Sequence, residues 1–264
     1  MMRYLFLLLM PLLLFSKVYY AKVEPFENIT LKSAVSAQVT HTKIALEGSN
    51  VTSSTIIQLD DDLDKIKLTS SQDSLKLINS MIATNQTLLT ALGDSLERQK
   101  AYFNRISNIS SASKTQQDNA FYGYTNAKTQ YFSTKEKIDS LKKQQLDLKY
   151  EIARLEDSIA KKSIKIKNKF LYKLMVNAGD FVNMGTPLAE IKDLTSAKLV
   201  LFLEADELEK INTKTIYIND KPSEYKVSKI WDVADEKFIS SYRAEIIIKN
   251  PKENFSQLLK VEFK

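Results

Sequence analysis

The segment "VNAGDFVNMGTPLAEIKD", Val176 to Asp193, decides the fold of this chain. It places Gly179, Val182 and Gly185 at intervals of three residues, ahead of an alternating apolar run. Glycine accepts the positive φ that tight turns need, and the valine between the two glycines can anchor such turns to a sheet. The segment therefore predicts a compact β-turn element.

The same pattern occurs earlier, in "ALEGSNVTSSTIIQLDDD", Ala45 to Asp62. Three pairs of positions correspond: Gly48 with Gly179, Val51 with Val182, and Ile57 with Leu188. Ser54 takes the place of Gly185, and the closing apolar residues, Leu59 and Ile191, are out of step by one. We interpret the two segments as a weak internal repeat, split by about 120 residues of mostly helical chain.

Apolar residues recur at heptad spacing between these two segments. We call these heptad positions the seam. In the first arm they are Leu75, Ile78, Ile82, Asn85, Leu89, Leu92, Leu96, Gln99, Phe103 and Ile106. In the second arm they are Tyr124, Ala127, Tyr131, Thr134, Ile138, Leu141, Gln145, Leu148, Ile152, Leu155 and Ile159. The polar seam residues Asn85, Gln99 and Gln145 would weaken the seam while fixing its register. A heptad pattern sustained over about five repeats predicts a coiled coil.

A Ser- and Asn-rich stretch, "SNISSASKTQQDNA", separates the two arms and is typical of a turn. We therefore predict an antiparallel coiled-coil α-hairpin over residues 70–162. Arms of about 36–40 residues would reach roughly 55–60 Å. If the turn centres near Ser113, Leu75 should face the region of Ile152.

Composition excludes several kinds of site. The chain has no cysteine and one histidine, His41, among 264 residues. Thiolate zinc sites, thiol nucleophiles and two-histidine metal sites are therefore absent, and no nucleophile motif accompanies His41, which we place on a surface strand. The net charge of +6 comes from basic residues spread along the chain, so we expect no nucleic-acid partner. We predict that the protein is not an enzyme and has no catalytic, cofactor-binding or metal-binding residues.

The N-terminus has the character of an export signal. Arg3 precedes a continuous apolar run from Leu5 to Phe15, which is about eleven residues and short for a membrane-spanning helix. Cleavage could follow Ser16 or Ala21, and an uncleaved anchor is the other reading. We therefore assign residues 1–21 to a signal peptide or N-terminal anchor, and expect the rest of the chain outside the inner membrane.

Two glycine-containing half-motifs around a coiled-coil hairpin resemble the layout of the HlyD-like membrane-fusion proteins, the periplasmic adaptors of tripartite efflux and secretion systems. The resemblance implies an α+β fold. Residues 31–68 and 163–197 would close into one split lipoyl-like β-sandwich, a barrel-sandwich hybrid, with the hairpin inserted between its halves. "AVSAQV", Ala34 to Val39, resembles the opening strand, with Ala37 where glycine is usual. Since the hairpin replaces the turn that carries the modified lysine in lipoyl carriers, we expect no covalent lipoyl or biotin loading.

The C-terminal part resembles the same family. "AKLVLFLEADELEKI", Ala197 to Ile211, is similar to the link from sandwich to barrel, and the later segments alternate like strands of a half-exposed sheet. The resemblance implies a C-terminal β-barrel domain over residues 198–264. We expect Trp231 to be one of its core residues.

The resemblance also implies a partner-binding site at the hairpin tip. Family members that dock on a TolC-like duct show an arginine, a leucine four residues later, and a serine seven after that. Tyr102, Ile106 and Ser113 occupy those positions here, and the nearest arginine is Arg105. The implied site therefore comprises Tyr102, Arg105, Ile106 and Ser113, with departures from the pattern at its first two positions.

The function implied by the resemblance is that of a periplasmic adaptor associated with the inner membrane of a Gram-negative-type envelope. Its partners would be an ABC-type or RND-type inner-membrane transporter, a TolC-like outer-membrane duct, and further copies of the chain in a ring of six. The alternative is an exported coiled-coil envelope scaffold or adhesin with no transporter partner. An enzyme with a helical insertion would need an acidic cluster in a cleft, whereas Asp206 and Glu207 fit a short linking helix better.

Overall fold

The computed structural model describes residues 17–235, 237–249, 251 and 255–264. The strands are β1 (Val18–Lys32), β2 (Ala37–Thr42), β3 (Ser49–Leu59), β4 (Ser163–Leu174), β5 (Phe181–Val182), β6 (Pro187–Glu204), β7 (Ile216–Ile218), β8 (Lys221–Pro222), β9 (Val227–Ala234), β10 (Ser241–Lys249) and β11 (Leu258–Phe263). The helices are α1 (Asp62–Ser107), α2 (Lys114–Lys162) and α3 (Ala205–Leu208). The apolar run from Leu5 to Phe15 lies outside the described residues.

The strands form antiparallel ladders in the order β5-β2-β3-β4-β6-β1-β11-β7-β8, and β10 pairs with both β6 and β9. Two long strands, β1 and β6, pair from Lys32 opposite Pro187 to Val23 opposite Leu199. They connect two separate hydrophobic cores, one at each end of this ladder. The fold is therefore a mixture of antiparallel sheet and one long helical hairpin, as predicted.

The first core joins the two glycine-containing segments. Val51 and Val182 are 5% and 1% exposed and belong to the same buried cluster. Gly48 and Gly179 have φ of +70° and +99°, which explains why glycine stands at both turns. The two segments thus share one core, as the split-sandwich hypothesis requires. The histidine prediction is also confirmed, since His41 is exposed on β2.

The hairpin follows the predicted heptad seam, because every seam position in both helices is buried or half-buried. The arms are longer than predicted, at 46 and 49 residues, or roughly 69 and 74 Å. The first helix begins at Asp62, so residues 62–68 are helical rather than part of the sandwich. Asp62 and Asp64 lie in its first turn, where carboxylates are favourable next to the helix dipole.

The predicted register of the hairpin agrees with the structure to within about one turn. The Gln145 side chain donates to Asn79 Oδ1 at 2.5 Å, and Lys67 forms an ion pair with Glu151 at 2.5 Å. The first of these contacts places Leu75 opposite residue 149, which is within one turn of Ile152. The offset arises because the connection centres before Ser113, which is the N-cap of α2.

The second core uses the N-terminal strand, which the prediction left out. Ala21 and Val23 are 0% exposed and pack with residues of β6, β10 and β11. Residues 18–22 also pair with β11, so the 1–21 export assignment overlaps β1, and the 198–264 unit is completed from the N-terminus. The expectation that Trp231 is a core residue is wrong, because Trp231 is half-buried. Lys229 Nζ lies 4.3 Å and Arg243 Cζ lies 4.9 Å from the centroid of its ring.

An ion pair ties β4 to β6 beside the first core. Lys169 Nζ lies 2.6 Å from Asp193 Oδ2, and Thr195 donates to Asp193 Oδ1 through both its amide and its hydroxyl. The bond from Lys169 comes first among the causes that hold the pKa of Asp193 at about 2, and the two from Thr195 follow. A lowered pKa means that the stabilisation is complete above the ordinary aspartate pKa near 4 and is lost as the pH falls through about 2.

We therefore expect Asp193→Asn to lower the free energy of unfolding at neutral pH by about 1–2 kcal/mol. The variant should also show a flatter loss of stability between about pH 4 and pH 2. Urea unfolding followed at several pH values measures both effects. Asp139→Asn, at an exposed position on α2, is the control and should leave the pH dependence unchanged.

Candidate partner-binding site at the hairpin tip

The connection between the helices is short and hydrogen-bonded. The Asn108 amide donates to the carbonyls of Arg105 and Ile106 at the end of α1. The Ala112 amide donates to the Ile109 carbonyl at 3.1 Å. These bonds satisfy backbone groups that a helix terminus leaves without partners, so the tip has a defined shape.

Ser113 fixes the start of the second helix. Its Oγ accepts from the Gln116 amide at 3.2 Å, while the Gln116 side chain accepts from the Ser113 amide at 2.9 Å. This is a complete capping box. The serine that the resemblance places in a duct contact therefore has a structural role of its own.

We expect Ser113→Ala to destabilise the tip by about 1 kcal/mol, because the N-cap oxygen is lost. Amide hydrogen exchange in the first turn of α2 should quicken, while exchange at the base of the hairpin stays the same. Ser111→Ala is the control, since Ser111 lies in the connection and not at the N-cap. Equal effects of the two substitutions would contradict the capping role.

The other three predicted tip residues differ in accessibility. Tyr102 is 40% exposed, and Arg105 is exposed with its guanidinium 5.8 Å from the Tyr102 ring centroid. Ile106 is half-buried in the seam, so it stabilises the tip and offers little surface to a partner. Sequence reasoning missed Ile109, which is 44% exposed in the connection. Ile109 is an apolar residue outside the heptad pattern, and this was the available sign that its side chain is not buried in the seam.

Aromatic rings stiffen the hairpin just below this surface. Phe103 stacks on Tyr124 with ring centroids 5.7 Å apart and packs against Phe121 at 5.9 Å. Aromatic pairs at such separations add to the stability gained by burial alone. Tyr102, Arg105 and Ile109 therefore lie at an end of the hairpin whose two helices are well packed.

Each helix also carries an exposed apolar stripe outside the seam, and the sequence analysis did not identify either. On α1 the stripe comprises Ile66, Leu77, Met81 and Leu88, which are between 44% and 67% exposed. On α2 it comprises Phe121, Phe132, Leu146 and Tyr150, which are between 46% and 72% exposed. At about 100° per residue, the α1 stripe lies roughly 90° and the α2 stripe roughly 130° from the seam.

The α1 stripe borders grooves on one flank of the hairpin. Leu77 and Met81 line one groove together with Asp147 and Glu151 of α2, and Leu88 lines another. The stripe of α2 does not line these grooves and turns toward the other flank. The hairpin thus presents a grooved apolar flank and a flank with protruding apolar side chains.

Two negative observations apply to the described residues. No helix among them is both long enough and apolar enough to span a bilayer. In the same part of the chain, no three His, Asp or Glu side chains are grouped as ligands for a metal ion.

Comparisons with known proteins identify the fold. No protein-family model and no curated protein matches the chain. Among solved structures, MacA from Actinobacillus actinomycetemcomitans superposes with a TM-score of 0.72 at 15% identity, over 94% of this chain and 78% of that chain. A MacA-MexA chimeric protein containing the Pseudomonas aeruginosa MexA alpha-hairpin domain gives 0.63 at 14% identity, over 94% and 81%.

The membrane fusion protein Spr0693 from Streptococcus pneumoniae R6 gives a TM-score of 0.54 at 10% identity, over 94% of this chain and 99% of that chain. At such identities the shared property is the fold. The resemblance found in the sequence is therefore confirmed at that level: this chain has the fold of membrane fusion proteins.

Proposed function

We propose that the protein is a periplasmic adaptor that links an inner-membrane transporter, of ABC or RND type, to a TolC-like outer-membrane duct. One observation carries the proposal: a capped hairpin of about 70 Å projects from a β-body that the membrane fusion protein fold shares. In this assignment the first core is the lipoyl-like sandwich and the second core, completed by β1, is the β-barrel unit. The chain acts through assembly, and no catalytic role is proposed.

The tip is the proposed duct contact. Tyr102 and Ile109 offer partly exposed apolar surface, and Arg105 offers a charge beside them. Tyr and Arg are frequent in the central contacts of protein interfaces. Ser113 and Ile106 contribute by holding this surface in place, through the cap of α2 and the seam.

The positions of the two apolar stripes favour assembly of several chains into a ring. Because the α1 stripe and the α2 stripe lie on different flanks, a neighbour's α2 side chains can enter the grooves beside α1. Such a contact joins two different surfaces, and head-to-tail contacts of this kind close into rings when the rotation allows. We propose a ring of six protomers, whose hairpins form a tube that meets the duct end-on.

Co-purification from cells tests the duct contact. The affinity-tagged wild-type chain should retain an outer-membrane duct protein, identified by mass spectrometry. The triple variant Tyr102→Ala/Arg105→Glu/Ile109→Ala should lose it, while ring assembly persists. Arg98→Glu, an exposed charge reversal farther down α1, is the matched control. Retention of the duct by the triple variant, or its absence from the wild type, would instead favour an envelope scaffold.

A further inference from the structure

The end of β9 and the connection that follows it present apolar side chains to solvent. Val233 is 78% exposed, Ile239 is 85% exposed and Phe238 is 44% exposed. We call these three residues the apolar loop tip. Single exposed apolar side chains are common, but three within seven residues at the end of one β-hairpin indicate an interaction surface.

The apolar loop tip is held by hydrogen bonds. Asp235 Oδ1 accepts from the amides of Lys237 and Phe238 at 2.9 and 3.2 Å, and the Ser241 amide donates to the Phe238 carbonyl at 2.9 Å. The Phe238 ring also packs on Phe202 with centroids 4.2 Å apart. The exposure of Ile239 is therefore built into an ordered turn.

The chain enters the fold beside this loop. Lys17 Nζ lies 2.5 Å from Glu204 Oε1, and Glu204 pairs with Ser241 at the start of β10. Phe15, the last residue of the apolar run Leu5–Phe15, is two residues before Lys17. Two residues of extended chain span at most about 7 Å, so Lys17 marks the end of the fold at which the apolar run joins it.

Both features lie at one end of the β1–β6 ladder. This is the end of the second core, because Val23 and Leu199 belong to that core while Leu31 and Ala189 pack in the first. An apolar segment that enters a bilayer here brings Lys17 to the membrane surface. The loop tip then faces the same surface.

We propose that Val233, Phe238 and Ile239 insert into the interfacial layer of the bilayer that receives the Leu5–Phe15 segment, and so fix the tilt of the β-body on the membrane. Contact between apolar side chains and the acyl boundary supplies the attraction. The charges nearby are mixed, because Lys17 lies beside Glu204, Asp206 and Glu207, and Lys237 lies over the Phe238 ring. Anionic lipid is therefore not required. The inference rests on the alternative in which residues 1–21 are an uncleaved N-terminal anchor, and it is independent of the duct contact.

Depth-dependent fluorescence quenching tests this contact with the full-length chain. The chain has no cysteine, so Ile239→Cys gives a single attachment point for an environment-sensitive fluorophore. Ile44→Cys is the matched control, because Ile44 is an exposed isoleucine of 56% accessibility in a turn beside the first core. Both proteins are reconstituted into phosphatidylethanolamine–phosphatidylglycerol vesicles with and without brominated acyl chains.

We expect the probe at position 239 to lose most of its emission to brominated lipid, at a depth of about 5–10 Å into the headgroup and acyl boundary. The probe at position 44 should lose none. Val233→Asp, introduced into the chain labelled at 239, should restore emission, because a carboxylate is costly in the apolar layer. Position 233 is exposed, so this substitution leaves the fold intact, as circular dichroism can verify.

Equal quenching at positions 239 and 44 would overturn the proposal, as would a probe at 239 that is insensitive to Val233→Asp. A photoreactive residue at 239 distinguishes the occupant in cells. Adducts with lipid support the bilayer contact. Adducts with a membrane protein alone would overturn it and assign the apolar loop tip to a protein interface.

Discussion

Ala21→Asp is expected to lower the free energy of unfolding by about 3–5 kcal/mol, because it places a carboxylate without a partner in the second core. Ala21 is 0% exposed and pairs with Leu259 of β11. Around it, Tyr19 packs edge-on to Phe263 with ring centroids 6.0 Å apart and donates a hydrogen bond to Glu207. Burial and the Glu207 carboxylate raise the pKa of the Tyr19 hydroxyl, so the hydroxyl remains a donor. Equilibrium denaturation measures the loss.

Tyr20→Asp is the matched control for this substitution. Tyr20 is the adjacent residue and is 70% exposed, so its replacement should cost less than about 1 kcal/mol. If the two substitutions were equally mild, β1 would not complete the second core.

The pairing of β1 with β11, which begins at Val18, predicts that an export signal, if removed, is cut before Val18. Mass spectrometry of the mature chain checks this directly. A mature chain beginning at Lys22 would contradict it.

Leu77→Asp combined with Met81→Asp is expected to abolish ring assembly while the protomer stays folded. Leu77 is 67% exposed and Met81 is 44% exposed, so neither is needed for the seam. If both are buried against a neighbour, replacing two apolar side chains by carboxylates should weaken each contact at least about 100-fold. The carboxylates would also meet Asp147 and Glu151, which line the same groove. Native mass spectrometry and sedimentation measure the oligomer.

Thr87→Asp is the control for assembly. Thr87 is exposed on α1 and lies five residues from Ile82 of the seam, which places it roughly 140° from Ile82, on the side of the helix opposite the seam. It should leave the oligomer unchanged. An unaltered ring in the Leu77→Asp/Met81→Asp variant would show that the grooved flank is not the contact between protomers.

The repeating patterns in the sequence predicted the architecture well. Seam positions such as Ile82 and Leu141 are buried as the heptads require, because the interface of a coiled coil buries apolar residues at a regular heptad spacing. Gly48 and Gly179 identified the two halves of the first core, because positive φ favours glycine. The heptad repeat is periodic and the turn glycines are local, so both can be recognised in a single sequence.

Features that depend on contacts between distant segments were not predictable in the same way. The run Val18–Val23 follows an apolar signal-like segment, and nothing local indicates that it pairs with β11. The hairpin register depends on where the connection turns, which the cap at Ser113 determines. The size of Trp231 favours a core position, but the residue is half-buried, with the cations of Lys229 and Arg243 beside its ring. The exposed stripes give no separate signal in the sequence, because the seam dominates the periodicity of both helices.

Photo-crosslinking at the hairpin tip in intact cells tests the adaptor proposal most directly. A photoreactive residue at Ile109, which is 44% exposed, should capture an outer-membrane duct protein, whereas the same residue at Thr90 should not. If position 109 gives only adducts between copies of the chain, or no adducts while the protein is folded and exported, the duct contact is wrong. A scaffold of the cell envelope would then be the better account.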